Sequence, residues 1–412
     1  MRVRITSEIG ALERVICHEP GPELSVVTPR NRDKYLFDDL LDEEESRREH
    51  RRFRRILERF TDVRLVSDLL VEVLGIPEAR EFMIERADRR IRAHADGLGA
   101  AELARLFIEG RRAEVSPARG ETLATLLNEA GYLLPPLPNL FFTRDAACVI
   151  GERALIATMA HGVRWTEELI MRTLFAYHPD LAGGGLLYDG TDERRFNTSI
   201  EGGDIHVLRE DLLLVGLSER TSAAGIGRLS EALFGSTAVT DVLAVLMPRE
   251  RAAIHLDMIF TMIDRELCCV FPPHFKGPTR LPVMHLTRGV DTVRERDDLF
   301  AGLRAVDLPL EPIFCGGPRR NQQEREQWGS GCNMVAVAPG HLIAYARNDQ
   351  TLRALSEDGG FEIMSSEQFR TAGELPAAGT RAVITFRGSE LVRGGGGPRC
   401  MTLPIRRAAV AW

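Results

Sequence analysis

Two hydrophobic periods divide this chain. From residue 140 onward apolar residues alternate with polar ones, or run together, in short bursts. "AACVIGERALIATM", "DIHVLREDLLLVGL", "CCVFPPH", "NMVAVAPGHLIAYARN" and "RAVITF" predict strands, several with a turn in the middle as hairpins have. "RWTEELIMRTLFAYHP" and "RLSEALFG" predict helices between them. The recurrence of hairpin then helix suggests pseudo-repeated ββαβ units. Over residues 68–132 the texture is different. "IPEAREFMIERADRRIRAHADGLGAAELARLFIEG" and "GETLATLLNEAGY" carry helical spacing and strand signals nearly vanish, so a compact helical insertion is predicted, ended by the proline-rich "LLPPLPN". Residues 1–67 open on a strand, "LERVICHEP". A long amphipathic helix follows in "FDDLLDEEESRREHRRFRRILERF", with Leu40, Leu41, Phe53, Ile56, Leu57 and Phe60 as its stripe and acids ahead of bases. "VRLVSDLL" then predicts a short strand.

Composition narrows the class. With 412 residues and 44% hydrophobic content the chain can bury a large core. A net charge of −7 disfavours a general nucleic-acid binder, and the basic "RRFRR" reads as a solvated helix face beside its acids. The N-terminus lacks the apolar region of a secretion signal, and no run reaches the roughly 20 apolar residues that span a bilayer, so a cytoplasmic protein off the membrane is expected. The seven cysteines are odd in number and form no C-x-x-C pair, which argues against a disulfide framework and a zinc ribbon. "GxGxxG" and "GxxxxGK[ST]" are both absent, so nothing supports a nucleotide fold.

Candidate chemistry gathers where strands meet turns: Asn139, Phe142 and Asp145 in "PNLFFTRD", Glu201 in "EGGDIHVL", His255 and Asp257 in "IHLDMIF", and Cys400 in "GGPRCMT". If "IHLDMIF" is a strand, His255 and Asp257 share one face. One thiol on a glycine loop with one imidazole points to covalent catalysis through a thiolate. A ring of carboxylates around them would hold a cation and would repel an oxyanion. Together these residues suggest attack on a guanidinium carbon. The glycines of "RGGGGPRCMTLP" would let a loop fold over a pocket, with the apolar "MTLPI" anchoring its far side.

In this light the sequence resembles arginine deiminases, of the guanidine-modifying enzyme superfamily. "SEIGALERVICHEPGPEL", "LFDDLLD", "LPNLFFTRD", "EGGD", "GLSERTS", "HLDMIFTMID", "REQWGSGCNMVAVAPG" and "GPRCMTLP" occur in that family's order. The resemblance implies a five-bladed α/β-propeller of ββαβ modules over 1–67 and 133–412, with 68–132 as an inserted α-helical domain. It implies Cys400 as nucleophile, His255 as general acid/base, and Glu201 and Asp257 gripping the guanidinium, with Asp145 as a further carboxylate partner. Arg164 and Arg220 would bind the substrate carboxylate, and Asn139 and Phe142 would line the pocket. The implied reaction is hydrolysis of L-arginine to L-citrulline and ammonia, with no metal or organic cofactor, in a homo-oligomer. A related hydrolase or amidinotransferase acting on another guanidine, and a non-catalytic arginine-binding relative, are the alternatives. The chain departs from the family's pattern at Gly395, where an arginine is usual, and at Met258 and Ala146.

Overall fold

The structure, a computed structural model, describes residues 2–87, 89–112, 131–193 and 198–412. Most of the helical pattern read over 120–132 lies outside these residues. The strands form small separate sheets, and five of them repeat one topology. In each, an antiparallel hairpin is followed by a helical crossover and a strand that pairs parallel to the hairpin's second member. The strands Ala147–Ile150 and Arg153–Ile156 do this with Leu186–Asp189. Ile205–Arg209 and Leu212–Leu217 do it with Asp241–Leu246. Phe260–Met262 and Leu267–Val270 do it with Glu311–Phe314. Val335–Ala338 and His341–Tyr345 do it with Ala382–Phe386. The remaining unit is assembled from both ends of the chain. There Leu403–Arg407 pairs antiparallel to Leu12–Cys17, which pairs parallel to Asp62–Leu65. "MTLPI" is thereby sewn into the sheet that holds the N-terminal strand.

Crossover helices bury one face each. The helix Glu43–Leu57 starts at Asp42, whose side chain accepts from the Glu45 amide at 2.7 Å. It buries Ser46, Glu49, His50, Phe53, Ile56 and Leu57, one stripe at helical spacing. Phe53 stacks on Phe386 of the neighbouring unit with ring centroids 5.2 Å apart. Leu40 and Leu41, read as part of this stripe, lie ahead of the helix. Its arginines pair with acids on the same helix and with Glu19. This is the solvated face read from the sequence. "VRLVSDLL" is half strand: pairing stops at Leu65, and Val66–Leu74 is helix, because Val66, Leu69, Leu70, Val73 and Leu74 recur at helical spacing and are all buried.

The helices Val66–Leu74, Pro77–Arg86, Arg89–Ala95 and Ala100–Glu109 follow one another without an intervening strand. The strands Arg111–Arg112 and Tyr132–Leu134 then pair antiparallel as a separate two-stranded sheet. These helices do not keep a core of their own. Leu70, Met83 and Phe107 join one apolar cluster with Leu155, Ile170 and Leu174 of the adjacent unit. Among the described residues no helix is long and apolar enough to cross a membrane.

Phe53 couples two units, and Phe53→Ala removes a fully buried ring between them. The expected cost is about 3–5 kcal/mol, read as a lower denaturation midpoint, with little change in far-UV circular dichroism below it.

Candidate active site

Each of the five units carries a polar residue in the turn that runs into its hairpin. Asp145 precedes Ala147–Ile150, Glu201 precedes Ile205–Arg209, and His255 and Asp257 precede Phe260–Met262. Asn333 precedes Val335–Ala338, and Cys400 precedes Leu403–Arg407. "IHLDMIF" is therefore not a continuous strand. His255 is extended, Leu256–Met258 form a single tight turn, and the strand begins only at Phe260. The turn is held by Asp204, whose Oδ1 accepts from the Leu256 amide at 2.9 Å. Gly203 permits the imidazole's position, since a Cβ there would meet His255 Nδ1 at 2.5 Å.

These turns converge on a buried cavity of about 20 Å³, room for a water or two. Asn139, Phe142, Asp145, Arg164, Arg220, His255 and Cys400 line it, with Leu36, Ile254 and Gly394–Gly396. Glu201 and Asp257 sit directly behind the lining. Glu201 Oε2 lies 2.8 Å from His255 Nε2, and Asp257 Oδ2 lies 3.4 Å from Cys400 Sγ. All the residues singled out from the sequence thus meet at one place.

Every carboxylate here is backed by a buried arginine. Arg164 donates to Asp145 at 2.7 Å, Arg220 to Glu201 at 3.4 Å, and Arg399 to Asp257 at 2.9 Å. Arg164 also forks onto Glu167 and donates to the Asn139 and Phe142 carbonyls. Its hydrogen-bonding capacity is largely taken by protein. One oxygen on each of two carboxylates, Asp145 Oδ1 and Asp257 Oδ1, is buried with no hydrogen-bond partner. Unmatched acceptors in a dry site are costly unless a donor arrives.

The protonation states follow from these neighbours. Burial alone would discharge His255, yet Asp145, the Glu201 hydrogen bond and Asp204 outweigh it and raise its pKa to about 9. Burial would protonate Glu201, but Arg220 and His255 hold it down at about 2. At neutral pH the pair is an imidazolium beside a carboxylate. Burial, and then Asp257 and Asp145, push the Cys400 thiol well above its ordinary value. Asp145, Glu201 and His255 bring ligand atoms within 4.8 Å of one another. The Glu201–His255 hydrogen bond, with Arg164 on Asp145 and Arg220 on Glu201, already engages several of those atoms.

Three participants escaped sequence reading. Asn333 Nδ2 donates to Cys400 Sγ at 3.0 Å and its Oδ1 accepts from the Cys400 amide at 3.1 Å, clamping the thiol from both sides. Asp204 anchors the histidine turn. Arg399, next to Cys400, faces away from the cavity toward Asp257 and Glu8. The signal for Asn333 and Asp204 was present, since each lies in a turn before a hairpin, as Cys400 and Glu201 do.

Glu201→Gln removes both a charge and the ionic hydrogen bond from His255. The imidazole titration, followed by NMR of labelled histidine, is expected to fall from near 9 by about one unit or more. An unmoved titration would contradict the assignment of its cause.

Comparison with known proteins places this geometry. The sequence matches the arginine deiminase family over residues 33–407. It is 33% identical to an arginine deiminase of Mycobacterium avium, with 97% of each chain covered. It is 34% identical to one of Streptococcus pyogenes, with 98% of each chain covered. Among solved structures, the N-terminal domain of ArgZ, an arginine dihydrolase of cyanobacteria, superposes with a TM-score of 0.52 at 14% identity, covering 97% of this chain and 99% of that one. SxtG, an amidinotransferase from Microseira wollei, gives 0.52 at 14% identity over 100% and 98%. These structural likenesses show a shared α/β fold. By the sequence match along nearly its whole length, the chain belongs to the arginine deiminase family.

Proposed function

We propose that this protein hydrolyses L-arginine to L-citrulline and ammonia through a covalent intermediate on Cys400. The observation that carries the reading is the convergence of a thiol, an imidazolium and the Asp145 carboxylate on one small cavity, with Asp257 directly beside the thiol; Asp145 Oδ1 and Asp257 Oδ1 accept no hydrogen bond, although Asp145 Oδ1 lies 3.6 Å from His255 Nδ1. A guanidinium is the ligand that answers it. It is a planar cation rich in N–H donors, and each donor placed on a carboxylate fixes the central carbon against the sulfur.

The bound cation also changes the thiol. The carboxylates that raise the Cys400 pKa are neutralised by substrate, so the thiol gives up its proton to solvent once arginine is in place, matching the proton that the released ammonia takes up. The Asn333 amide N–H then supports the sulfur's negative charge. Sγ attacks the guanidinium carbon, and His255 gives its proton to the departing nitrogen as the C–N bond breaks. Ammonia leaves a thiouronium on Cys400. The neutral imidazole takes a proton from water, hydroxide adds to the same carbon, and the C–S bond breaks to release citrulline and the thiol. Arg220 is the freer of the two candidate carboxylate-binding arginines, because Arg164 is already held by Asp145 and Glu167.

A cavity of about 20 Å³ does not admit arginine, so the segments over it move to let substrate in. Gly394–Gly396 belong to that cover, and Gly395 adopts φ +88°, a conformation other residues avoid. We read the five like units as blades standing around the site. The repetition of a polar residue in each entering turn supports that arrangement. Residues 68–132 read as its helical insertion, and Arg164 and Arg220 with Asn139 and Phe142 as its substrate-orienting lining.

Purified protein with arginine is expected to yield ammonia and citrulline in equal amounts, and Cys400→Ala to lose about 10⁴-fold or more of that activity while remaining folded. Agmatine, which lacks the carboxylate, is expected to turn over far more slowly. Turnover of agmatine or another guanidine in preference to arginine would replace the substrate assignment. Full activity in Cys400→Ala would overturn the mechanism.

A further inference from the structure

The "SEIG" segment near the N-terminus has no place in the chemistry so far, yet it reaches under the site. Glu8 and Arg399 are both buried. Glu8 Oε2 accepts from Arg399 Nε at 3.2 Å and its Oε1 from Arg399 Nη2 at 3.2 Å, a two-pronged pair. Arg399 Nη1 reaches Asp257 Oδ2 at 2.9 Å and the Gly203 carbonyl at 3.5 Å, and Nη2 reaches the Ile205 carbonyl at 2.7 Å. All five guanidinium N–H groups therefore have an acceptor. The planar fork has one orientation left to it. It is fixed by Glu8 on one side and holds Asp257 on the other.

This matters because Asp257 divides its two oxygens between tasks. Oδ2 carries Arg399 and lies 3.4 Å from the Cys400 sulfur, while Oδ1 is left unpartnered. The charges around Glu8 are unbalanced. Arg144, Arg399 and Arg407 are buried there against Glu8 and Asp257, with His206 beside them. Burial raises the Glu8 carboxyl, but Arg399, Arg144 and His206 overcome it and hold Glu8 ionised well below the usual carboxylate range. Glu8 thus draws off part of the positive field that would otherwise fall on Asp257 and on the thiol.

We propose that Glu8 is a positioning residue for the reaction, acting through Arg399 to set both the orientation of Asp257 toward the substrate guanidinium and the charge felt by Cys400. The proposal rests on the arginine-hydrolysing reading of the site. It makes a signed prediction that loosened packing does not. In Glu8→Gln the fork loses its counter-charge, so the net field beneath the site becomes more positive. Asp257 then grips a cation less well and the thiol ionises more readily. The groups facing Cys400 are otherwise unchanged, namely Asp257, Asp145, Arg399 and Tyr345.

The test is the rate of Cys400 alkylation by iodoacetamide against pH, together with steady-state kinetics on arginine. The other six cysteines are followed separately by peptide mass spectrometry. For Glu8→Gln the alkylation midpoint is expected to fall by about one unit and KM to rise about tenfold, with a smaller change in kcat. Glu8→Asp, which keeps the charge, is expected to restore most of both. A folded Glu8→Gln with unmoved midpoint and KM overturns the proposal, as does a midpoint that rises. If Glu8→Gln gives no folded protein, Arg399→Lys carries the test. It keeps the charge but cannot span Glu8 and Asp257, so KM is expected to rise at least tenfold, and an unchanged KM overturns the proposal. Alkylation needs no turnover, so a failure of the substrate assignment would leave that arm readable.

Discussion

The site depends on carboxylates buried together with the arginines that back them. Asp145, Glu201 and Asp257 are each buried, and each has an arginine behind it: Arg164, Arg220 and Arg399. A lone buried carboxylate would take up a proton and lose its grip on a cation. A buried pair is expensive to desolvate as well, and it persists only where further hydrogen bonds satisfy both partners. Here they do. Arg164 is completed by Glu167 and two carbonyls, Glu201 by the Ala160 amide at 2.9 Å, and Arg399 by Glu8 and two carbonyls. The arginines stabilise negative charge from behind; both oxygens of Glu201 are engaged, while Asp145 and Asp257 each keep one oxygen without a hydrogen bond.

Repetition explains how so many polar groups reach one point. Each unit enters its hairpin by a tight turn, and a turn exposes side chains that a ladder would hide. Asp145, Glu201, His255, Asn333 and Cys400 come from five different turns of the same kind. The scaffold beneath is ordinary apolar packing. The specificity comes from which residue each turn carries. Gly203 shows how tight the fit is, because any larger side chain there would displace the imidazole.

Much of this was legible in the sequence because motif and period agreed. The strands around Ile205–Leu217 and Val335–Tyr345 alternate or run apolar as they should, and Cys400 and His255 stand in distinctive local contexts. Other features carry no local period. "IHLDMIF" is apolar enough to read as strand, yet the hydrogen bond its Leu256 amide donates to the distant Asp204 holds it in a turn. The helix at Val66 starts without a side-chain cap, so nothing marked where "VRL" ended. Asn333, Arg399 and Glu8 act through contacts between residues 67 to 391 positions apart, and only the assembled structure places them beside Cys400 and Asp257. The likeness of the units was visible as recurring hairpin and helix, but which residue of each turn faces inward was not.

The pairing of Leu403–Arg407 with Leu12–Cys17 has a consequence in time. Cys400 sits just ahead of Leu403–Arg407, and that strand's place is beside Leu12–Cys17, made far earlier. During synthesis the other units can fold as they emerge, since their hairpins and crossovers are local. The sulfur has no fixed position until Leu403–Arg407 has been made and closes the sheet against Leu12–Cys17. A chain cut short at its end would keep most of its core and still lack a poised thiol.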